Sequence, residues 1–430
     1  MRGSSEVRGQ ATVCRLAGWV ALSALALAGC APAERADLVI ENVRVYGGED
    51  PGGELATVAV RDGRFSYVGS AGEAPAFEAG RTLDGAGRFL TPGLWDVHVH
   101  LRSSEGAGLA TGDFLAHGIT SVRDLGGYVD RLTELQQQIE EGAHARPAIY
   151  PAYFMLNGES FAGFQQVVTN EDEVDTEVDR LAAAGATQIK VHRALPPELL
   201  PAVVNAAARH DLEVVGHIPL GMHPLQACEQ GMAGVEHIGS FVEALVSVTE
   251  SEAQGIQANV EAMDWLMSPD AEPLFECLVR RKVAVAPTLV IYRAIARRRV
   301  GGDDLPPHFV RFIEKTQAIA ERFHRKGVVL LAGTDTTDLE GMEIPAGSSL
   351  HEELGMLEDA GIPPLEVLAM ATGNPGRVID RRPDAGRIVV GAPADFLLLS
   401  EDPAQSVRSL AAIDGVFRGG RQAVPGQVGS

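Results

Sequence analysis

Residues 93–100, Gly-Leu-Trp-Asp-Val-His-Val-His, form an apolar stretch that ends in two histidines. Successive side chains of a β-strand point to opposite faces, so a strand here places Asp96, His98 and His100 on one face. Two imidazoles on one strand face can chelate one cation, and histidine is the commonest metal ligand in proteins. A surface pair without a ligand is the alternative, which the preceding apolar strand disfavours.

This stretch opens a long region, residues 91–378, in which short apolar runs alternate with helical stretches such as Glu171–Ala184 and Pro197–Arg209. Alternating β and α units predict a parallel sheet, and eight units favour a closed (β/α)8 TIM barrel of the α/β class. The longer segment Glu243–Phe275 predicts an insertion over the barrel mouth. The candidate strands are Gly93–His100, Ile119–Asp124, Ala148–Tyr153, Gln188–His192, Glu213–His217, Gly234–His237, Val283–Thr288 and Val328–Asp335.

Strand-rich sequence flanks this region on both sides. Residues 37–90 contain short β-rich runs, and the Asp62-Gly63 pair between alternating apolar residues predicts a hairpin turn. Residues 379–430 have the same texture, with Gly and Pro between short strands. The two ends therefore predict one composite β-sandwich domain beside the barrel.

Residues 1–29 have the features of an export signal. Three arginines accompany the apolar run Leu16–Ala28, which is shorter than the about 20 residues needed to span a bilayer. The run leads into Leu-Ala-Gly-Cys at Cys30, which resembles a bacterial lipobox and predicts cleavage before an acylated Cys30. An ordinary signal peptide is the alternative. The expected location is the bacterial cell envelope, on the periplasmic or outer-membrane face.

The formal net charge of -22 narrows the classes of partner. Such an excess of acid argues against a nucleic-acid binder and against electrostatic docking on anionic lipid. Membrane contact is expected only through the lipid anchor, and the sequence leaves homo-oligomerisation open. Two cysteines of the processed chain, Cys228 and Cys277, are expected as free buried thiols, with a disulfide as the open alternative.

Polar residues also interrupt or close other predicted strands. Lys190 lies inside an apolar strand, where an unpaired ammonium is energetically expensive. Residues at the C-terminal strand ends of such barrels converge on the active site. One such residue is readily structural, but several together predict a metal site. The candidate ligands are His98, His100, Lys190, His217, His237 and Asp335.

Several stretches resemble motifs of the amidohydrolase superfamily. They are residues 93–100 and 116–124, Val235-Glu236-His237, Ala332-Gly333-Thr334-Asp335, and the C-terminal runs 371–375 and 386–395. The resemblance covers nearly all of the chain after the signal segment. It is greatest to the imidazolonepropionase-like and prolidase-like branch.

The resemblance implies a metal centre with assigned ligands. His98, His100 and Asp335 would hold one metal, His217 and His237 a second, and a carboxylated Lys190 would bridge them. Burial lowers the pKa of a lysine, and the neutral amine can take up CO₂. Two Zn²⁺ ions are expected, although manganese, iron or cobalt also suit these ligands and some relatives bind one metal.

The resemblance also implies hydrolysis of a C–N bond in a small-molecule amide, dipeptide or cyclic amide, with a prolidase-like peptidase as the most concrete version. A metal-activated hydroxide would attack the carbonyl, and Asp335 would pass a proton to the leaving nitrogen. An ester or lactone hydrolase with the same centre is an alternative, because a fold does not fix its substrate. A lipid-anchored binding protein without catalysis is a third, which the complete ligand set disfavours.

Neighbouring residues have weaker claims. His192, on the strand face of Lys190, and Tyr153, at the end of the third strand, are predicted substrate contacts, with backbone bonding and packing as the alternatives. His223 is a candidate for the barrel mouth, and Arg123-Asp124 predicts a supporting ion pair. Three other histidines are not expected in the site, namely His210 and His324 at the surface and His351 at a helix start.

Overall fold

The computed structural model describes residues 33–47, 52–101, 111–140, 146–160, 165–249, 253–337 and 344–424. The predicted signal segment 1–29 and the lipidation site Cys30 lie outside these residues. The strands of the N-terminal part are β1 Glu34–Val45, β2 Leu55–Arg61, β3 Arg64–Ser70, β4 Phe77–Asp84 and β5 Phe89–Pro92. Those of the middle are β6 Leu94–Val99, β7 Ile119–Asp124, β8 Ala148–Pro151, β9 Met155–Asn157, β10 Gln165–Val167, β11 Ile189–Val191, β12 Val214–Gly216, β13 Gly234–Glu236, β14 Ala284–Ala286 and β15 Val329–Leu330. The last are β16 Phe396–Leu399, β17 Ile413–Arg418 and β18 Arg421–Val424.

Helices fill the connections between the middle strands and follow the last of them. They are α1 Thr111–Ala116, α2 Val129–Glu140, α3 Glu171–Ala183, α4 Leu200–Ala208, α5 Pro224–Glu229, α6 Ile238–Val248, α7 Ile256–Met267, α8 Glu272–Arg281, α9 Leu289–Val300, α10 Pro307–Arg325, α11 Ser348–Asp359, α12 Pro364–Met370 and α13 Gly373–Val378. Short 3₁₀ helices cover Pro197–Leu199, Pro269–Ala271 and Val407–Ala411. None of the helices in the described ranges combines the length and apolar character required to cross a membrane.

The middle strands form two parallel sheets. One has the order β10-β9-β11-β12-β13-β14-β15 and the other β6-β7-β8, and every strand pair in both is parallel. These strands consist largely of buried Val, Ile, Leu and Ala, as expected for strands covered by helices on the outside. The parallel α/β prediction is therefore confirmed. The third predicted strand, Ala148–Tyr153, ends earlier, at Pro151. Tyr153, with a φ of 60°, lies in the break between β8 and β9.

Strands from both chain ends share one further sheet, with the order β18-β17-β16-β5-β1-β2-β3 and with β4 beside β1. The predicted Asp62-Gly63 turn joins β2 to β3 as an antiparallel hairpin, and both turn residues have positive φ, 52° and 74°. Buried Phe65, Phe396 and Phe417 belong to a core of this sheet. A sandwich of two sheets packed face to face stays a prediction.

The segment predicted as an insertion, Glu243–Phe275, forms the end of α6, all of α7 and the start of α8. α7 packs against α6 and α10, within the helical layer. The prediction of free thiols is wrong, because Cys228 of α5 and Cys277 of α8 form a disulfide with Cα atoms 6.4 Å apart. α5 follows β12 and α8 precedes β14, and the two helices pack against each other. The spacing of the cysteines in the sequence does not reveal this proximity.

Candidate metal centre

The end of β6 and the segment that follows β15 bring two predicted ligands, His98 and His100, against a third, Asp335. Nε2 of His98 lies 3.3 Å and Nε2 of His100 lies 2.9 Å from the same oxygen, Oδ1 of Asp335. His98 is almost completely buried, at 1% exposure, so the contact is sheltered from bulk water. Two imidazole nitrogens and one carboxylate oxygen thus converge on one point.

His237, directly after β13, joins this group. One ligand atom from each of His98, His237 and Asp335 lies within 4.8 Å of the others, a spacing compatible with a shared metal ion. The ring centroid of His237 is 4.7 Å from that of His98 and 4.8 Å from that of His217. The structure therefore brings His217 beside the cluster through His237.

Lys190 of β11 is fully buried near these ligands. Within the described part of the chain, its Nζ atom has no hydrogen-bond partner. Burial lowers its pKa to about 8, against the opposing attraction of Glu236 and Asp335. A buried amine with a lowered pKa and no partner has the chemistry that uptake of CO₂ requires.

The surroundings of His98 and His237 favour the neutral form of both rings. Burial, together with the charge of Lys190, keeps the pKa of His98 well below its usual value. Burial also lowers the pKa of His237 to about 4, with Asp335 opposing the shift. Because a metal binds the unprotonated imidazole, these environments prepare both rings as ligands.

The backbone leaves the regular strand conformation where the ligands begin. His237 has a φ of 67° and Asp335 a φ of 63°, in the left-handed region that non-glycine residues seldom adopt. Such conformations cost free energy and cluster at functional sites. His237 also contacts Thr288, whose Oγ1 lies 2.6 Å from its Nδ1 and whose φ is 48°.

Two buried charged residues, Arg123 and Glu236, lie next to the cluster, and their pairing was not predicted from the sequence. Glu236 contacts Nδ1 of His98 at 2.9 Å through one oxygen and Nη2 of Arg123 at 2.6 Å through the other. The predicted Arg123-Asp124 ion pair is therefore wrong. Asp124 instead accepts hydrogen bonds from the backbone N–H groups of Leu101 and Gly126, at 2.5 and 3.0 Å. The signal available in the sequence was Glu236 itself, an acid in an apolar strand.

The two predicted substrate contacts have different surroundings. The ring centroid of His192 lies 4.4 Å from that of His217, and burial lowers the pKa of His192 to about 3. The hydroxyl of Tyr153 donates to the carbonyl oxygen of Ala184 at 3.0 Å and contacts Gln136 at 3.2 Å. His192 thus lies beside the cluster. The Tyr153 hydroxyl instead bonds to Gln136 of α2 and to Ala184 at the end of α3, which agrees with the alternative that Tyr153 is a packing residue.

The remaining predicted histidines lie outside the cluster. His223 caps α5, accepting a hydrogen bond from Leu225 N at 3.2 Å. His210 and His324 are paired with acidic residues, Asp179 at 2.6 Å and Glu366 at 2.7 Å. His351 lies near the start of α11, as predicted, and donates to the carbonyl oxygen of His117 at 2.9 Å.

Parallel strands that end in a buried group of imidazoles and a carboxylate define a class of α/β protein with a candidate metal centre at its strand ends. The chain belongs to the amidohydrolase family, whose model matches residues 89–423. That match includes every predicted ligand and the strands that carry them. The predicted membership is therefore confirmed.

Individual relatives cover different shares of the chain. It is 31% identical over 207 residues to an imidazolonepropionase of Acidiphilium cryptum (strain JF-5), which is 44% of this chain and 50% of that protein. The chain thus spans about half the length of this curated relative. A solved Xaa-Pro dipeptidase with bound methionine has a TM-score of 0.67 and 19% identity over 90% of this chain and 99% of its own. Molinate hydrolase has a TM-score of 0.70 and 18% identity over 90% and 95%. These two likenesses concern the fold.

Proposed function

We propose that the protein is a metal-dependent amidohydrolase that cleaves a C–N bond in an amide, dipeptide or cyclic amide. The convergence of His98, His100 and Asp335 on one point, with His237 beside them, carries this proposal. Membership of the amidohydrolase family supports it. The imidazolonepropionase and Xaa-Pro dipeptidase relatives favour a C–N bond, with a prolidase-like dipeptide as the first substrate to test.

The residues of the centre fit two divalent metals. His98, His100 and Asp335 would hold one metal and His217 and His237 the other, and Lys190, once carboxylated, would supply a further anionic ligand. The imidazole and carboxylate donors suit zinc, and Lys190 Nζ is buried with no hydrogen-bond partner in the described ranges. When bound, such metals lower the pKa of a water molecule and polarise the carbonyl that it attacks.

Asp335 is the proposed proton carrier. Burial raises its pKa, but the hydrogen bond with His100 and the charges of His237, His100 and Lys190 outweigh that effect and lower it below the usual value. An ionised carboxylate beside the attacking water can accept its proton and deliver it to the leaving nitrogen. We propose His192 as a substrate contact, since its ring adjoins that of His217.

We further propose that the two parallel sheets close into the (β/α)8 barrel, residues 91–378, with residues 37–90 and 379–430 as a separate β domain. Hydrogen bonds between β6 and the segment that follows β15 support closure. Val97 N donates to Ala332 O at 3.0 Å and Asp335 N to His98 O at 2.8 Å. On the other side, Thr187 N donates to Pro151 O at 2.8 Å, which links the end of β8 to the segment before β11.

The proposed location is the cell envelope, with the processed chain anchored through acylated Cys30. The buried disulfide between Cys228 and Cys277 is independent support, because structural disulfides persist mainly in oxidising compartments such as the periplasm. Labelling with a fatty acid in a bacterial host tests the anchor. Label that disappears in Cys30→Ala is the expected result, and equal labelling of both proteins would contradict it.

The function itself is tested by metal content and turnover in the same samples. The purified full-length chain is analysed for metals per chain and assayed on Xaa-Pro dipeptides, cyclic amides and esters. We expect about two metals and turnover of an amide, with loss of both in Lys190→Ala and His237→Asn. The matched control is His210→Asn, because His210 is exposed and lies outside the cluster. A parent without metal, or turnover of esters alone, would overturn the proposal.

A further inference from the structure

We propose that Glu236 is a positioning residue, which fixes the orientation and the tautomer of the His98 ring for metal binding. The inference rests on the proposed metal centre but concerns a side chain outside its ligand set. Glu236 is the last residue of β13, and its neighbour His237 is one of the proposed ligands. Its carboxylate contacts His98 of β6, a strand of the other parallel sheet.

His98 is flanked by carboxylates on both ring nitrogens. Its Nδ1 lies 2.9 Å from Oε2 of Glu236, and its Nε2 lies 3.3 Å from Oδ1 of Asp335. A neutral imidazole carries one ring proton, and a carboxylate acceptor on Nδ1 holds the proton there. The lone pair of Nε2 is then left facing the cluster, as a metal ligand requires.

Glu236 is itself held by a buried network. Nη2 of Arg123 donates to Oε1 of Glu236 at 2.6 Å, while its Nη1 donates to Gln188 at 2.9 Å and its Nε to the carbonyl oxygen of Val97 at 2.6 Å. Arg123 and Glu236 are each only 1% exposed. The four residues lie on or next to β6, β7, β11 and β13, so the network joins the strands that carry His98, Lys190 and His237.

The location of the Arg123–Glu236 ion pair favours a positioning role over a purely stabilising one. A buried pair often contributes little net stability, because desolvation offsets the attraction between the charges. Here the pair contacts Val97, the neighbour of His98, and Gln188, which directly precedes the strand of Lys190. Both oxygens of Glu236 are already engaged, Oε1 by Nη2 of Arg123 and Oε2 by Nδ1 of His98. The carboxylate therefore suits a positioning role rather than a place among the ligands.

Zinc titration into the metal-free full-length protein tests this role. We expect Glu236→Ala to weaken zinc binding about 10- to 100-fold, the range typical for loss of a partner to a ligand histidine. Glu236→Gln should lose less, because its side-chain oxygen still accepts from Nδ1 of His98. The matched control is Glu177→Ala, which removes another buried acid paired with an arginine, Arg180, on α3. Parent-like affinity in a folded Glu236→Ala would overturn the proposal.

The tautomer of His98 gives a second readout that needs no variant of Glu236. Proton–nitrogen NMR of the metal-free parent, with the His98 signals assigned by their loss in His98→Gln, distinguishes the two tautomers. A proton on Nδ1 is expected, and a proton on Nε2 would overturn the proposal whether or not Glu236→Ala folds. Failure of the proposed function is recognised separately. If the parent binds no zinc or cleaves no amide, the proposed metal centre is wrong, whereas the tautomer of His98 still reports on the role of Glu236.

Discussion

Oδ1 of Asp335 lies 2.9 Å from Nε2 of His100 and also contacts the ring of His98. The two residues belong to the first and the last strand regions of the parallel part of the chain. The backbone fixes this meeting as well, since Asp335 N donates to His98 O and His100 N donates to Thr336 O at 3.0 Å. The carboxylate can therefore be altered while its neighbours keep their backbone contacts.

Replacing Asp335 by Asn should abolish turnover with the fold retained. Asn keeps the shape of the side chain but supplies neither an anionic ligand nor a proton acceptor. We expect kcat/KM to fall by at least 10² to 10⁴-fold, roughly the range of a lost general acid–base group, together with loss of metal. Steady-state assays and elemental analysis provide the measurement. Asp264→Asn, an exposed site, is the control, and full activity of the Asp335 variant would contradict the assignment.

Much of the strand pattern was predictable because the candidate ligands interrupt or close apolar runs. The prediction Ile119–Asp124 coincides with β7, and Gly234–His237 exceeds β13 by one residue. That extra residue is informative. His237 comes directly after β13, whereas Asp335 lies further on, in the segment that follows the end of β15 at Leu330. Both ligands have a positive φ. Alternating hydrophobicity identifies a strand, but the backbone turn that presents a ligand leaves no such pattern.

The supporting residues could not be predicted in this way. Strict alternation would place Glu236 and His237 on opposite faces of β13, whereas the φ of 67° at His237 ends the alternation between them. The predicted partner of Arg123 was wrong for a related reason, because adjacent residues of a strand point to opposite faces. The observed partner, Glu236, is separated from Arg123 by 113 positions in the sequence. Both features depend on packing between distant segments.

Gly216→Ala should destabilise the protein and disturb Lys190. Gly216 has a φ of 133°, and a Cβ there would lie 2.1 Å from Val191 O and 3.0 Å from Cδ of Lys190. Neither the backbone carbonyl nor the buried lysine can retreat freely, so we expect a loss of about 1 to 3 kcal/mol in the free energy of unfolding. Urea unfolding and metal content are the measurements. Gly302→Ala, where a Cβ meets nothing within 4 Å, is the control; equal stability of the two variants would contradict the prediction.

Removing the disulfide should lower stability while leaving the centre intact. The bond between Cys228 and Cys277 closes a loop across a sequence separation of 49, and cross-links of this kind typically contribute about 2 to 4 kcal/mol by restricting the unfolded chain. The double variant Cys228→Ala/Cys277→Ala should therefore unfold at lower urea concentration, with metal content unchanged. A reductant breaks the disulfide of the parent, so the urea unfolding curves of the parent and the double variant should then coincide. Identical curves without reductant would contradict the bond.

The stability of the protein should fall with rising pH because of Glu353. This side chain of α11 is fully buried; its Oε2 accepts from Val290 N at 2.8 Å, and Oε1 has no hydrogen-bond partner in the described ranges. Burial raises its pKa from 4.5 to about 8, and repulsion from Asp96 and Glu352 acts in the same direction. The folded protein thus binds a proton that the unfolded chain releases. The stabilisation is complete below pH 4.5 and is lost as the pH rises through about 8.

Glu353→Gln should remove this part of the pH dependence, because the amide stays neutral in both states. We expect the melting temperature of the parent to fall relative to that of the variant as the pH rises from 5 to 8.5. The difference in melting temperature in favour of the variant should be largest at pH 8.5. Thermal unfolding at constant ionic strength, with Glu276→Gln as an exposed control, provides the comparison. Curves for parent and Glu353→Gln that run parallel over this range would show that the carboxyl is already ionised in the folded state. The carboxylate would then need a cationic or hydrogen-bonding partner for Oε1, since an unpaired buried charge is too costly to persist.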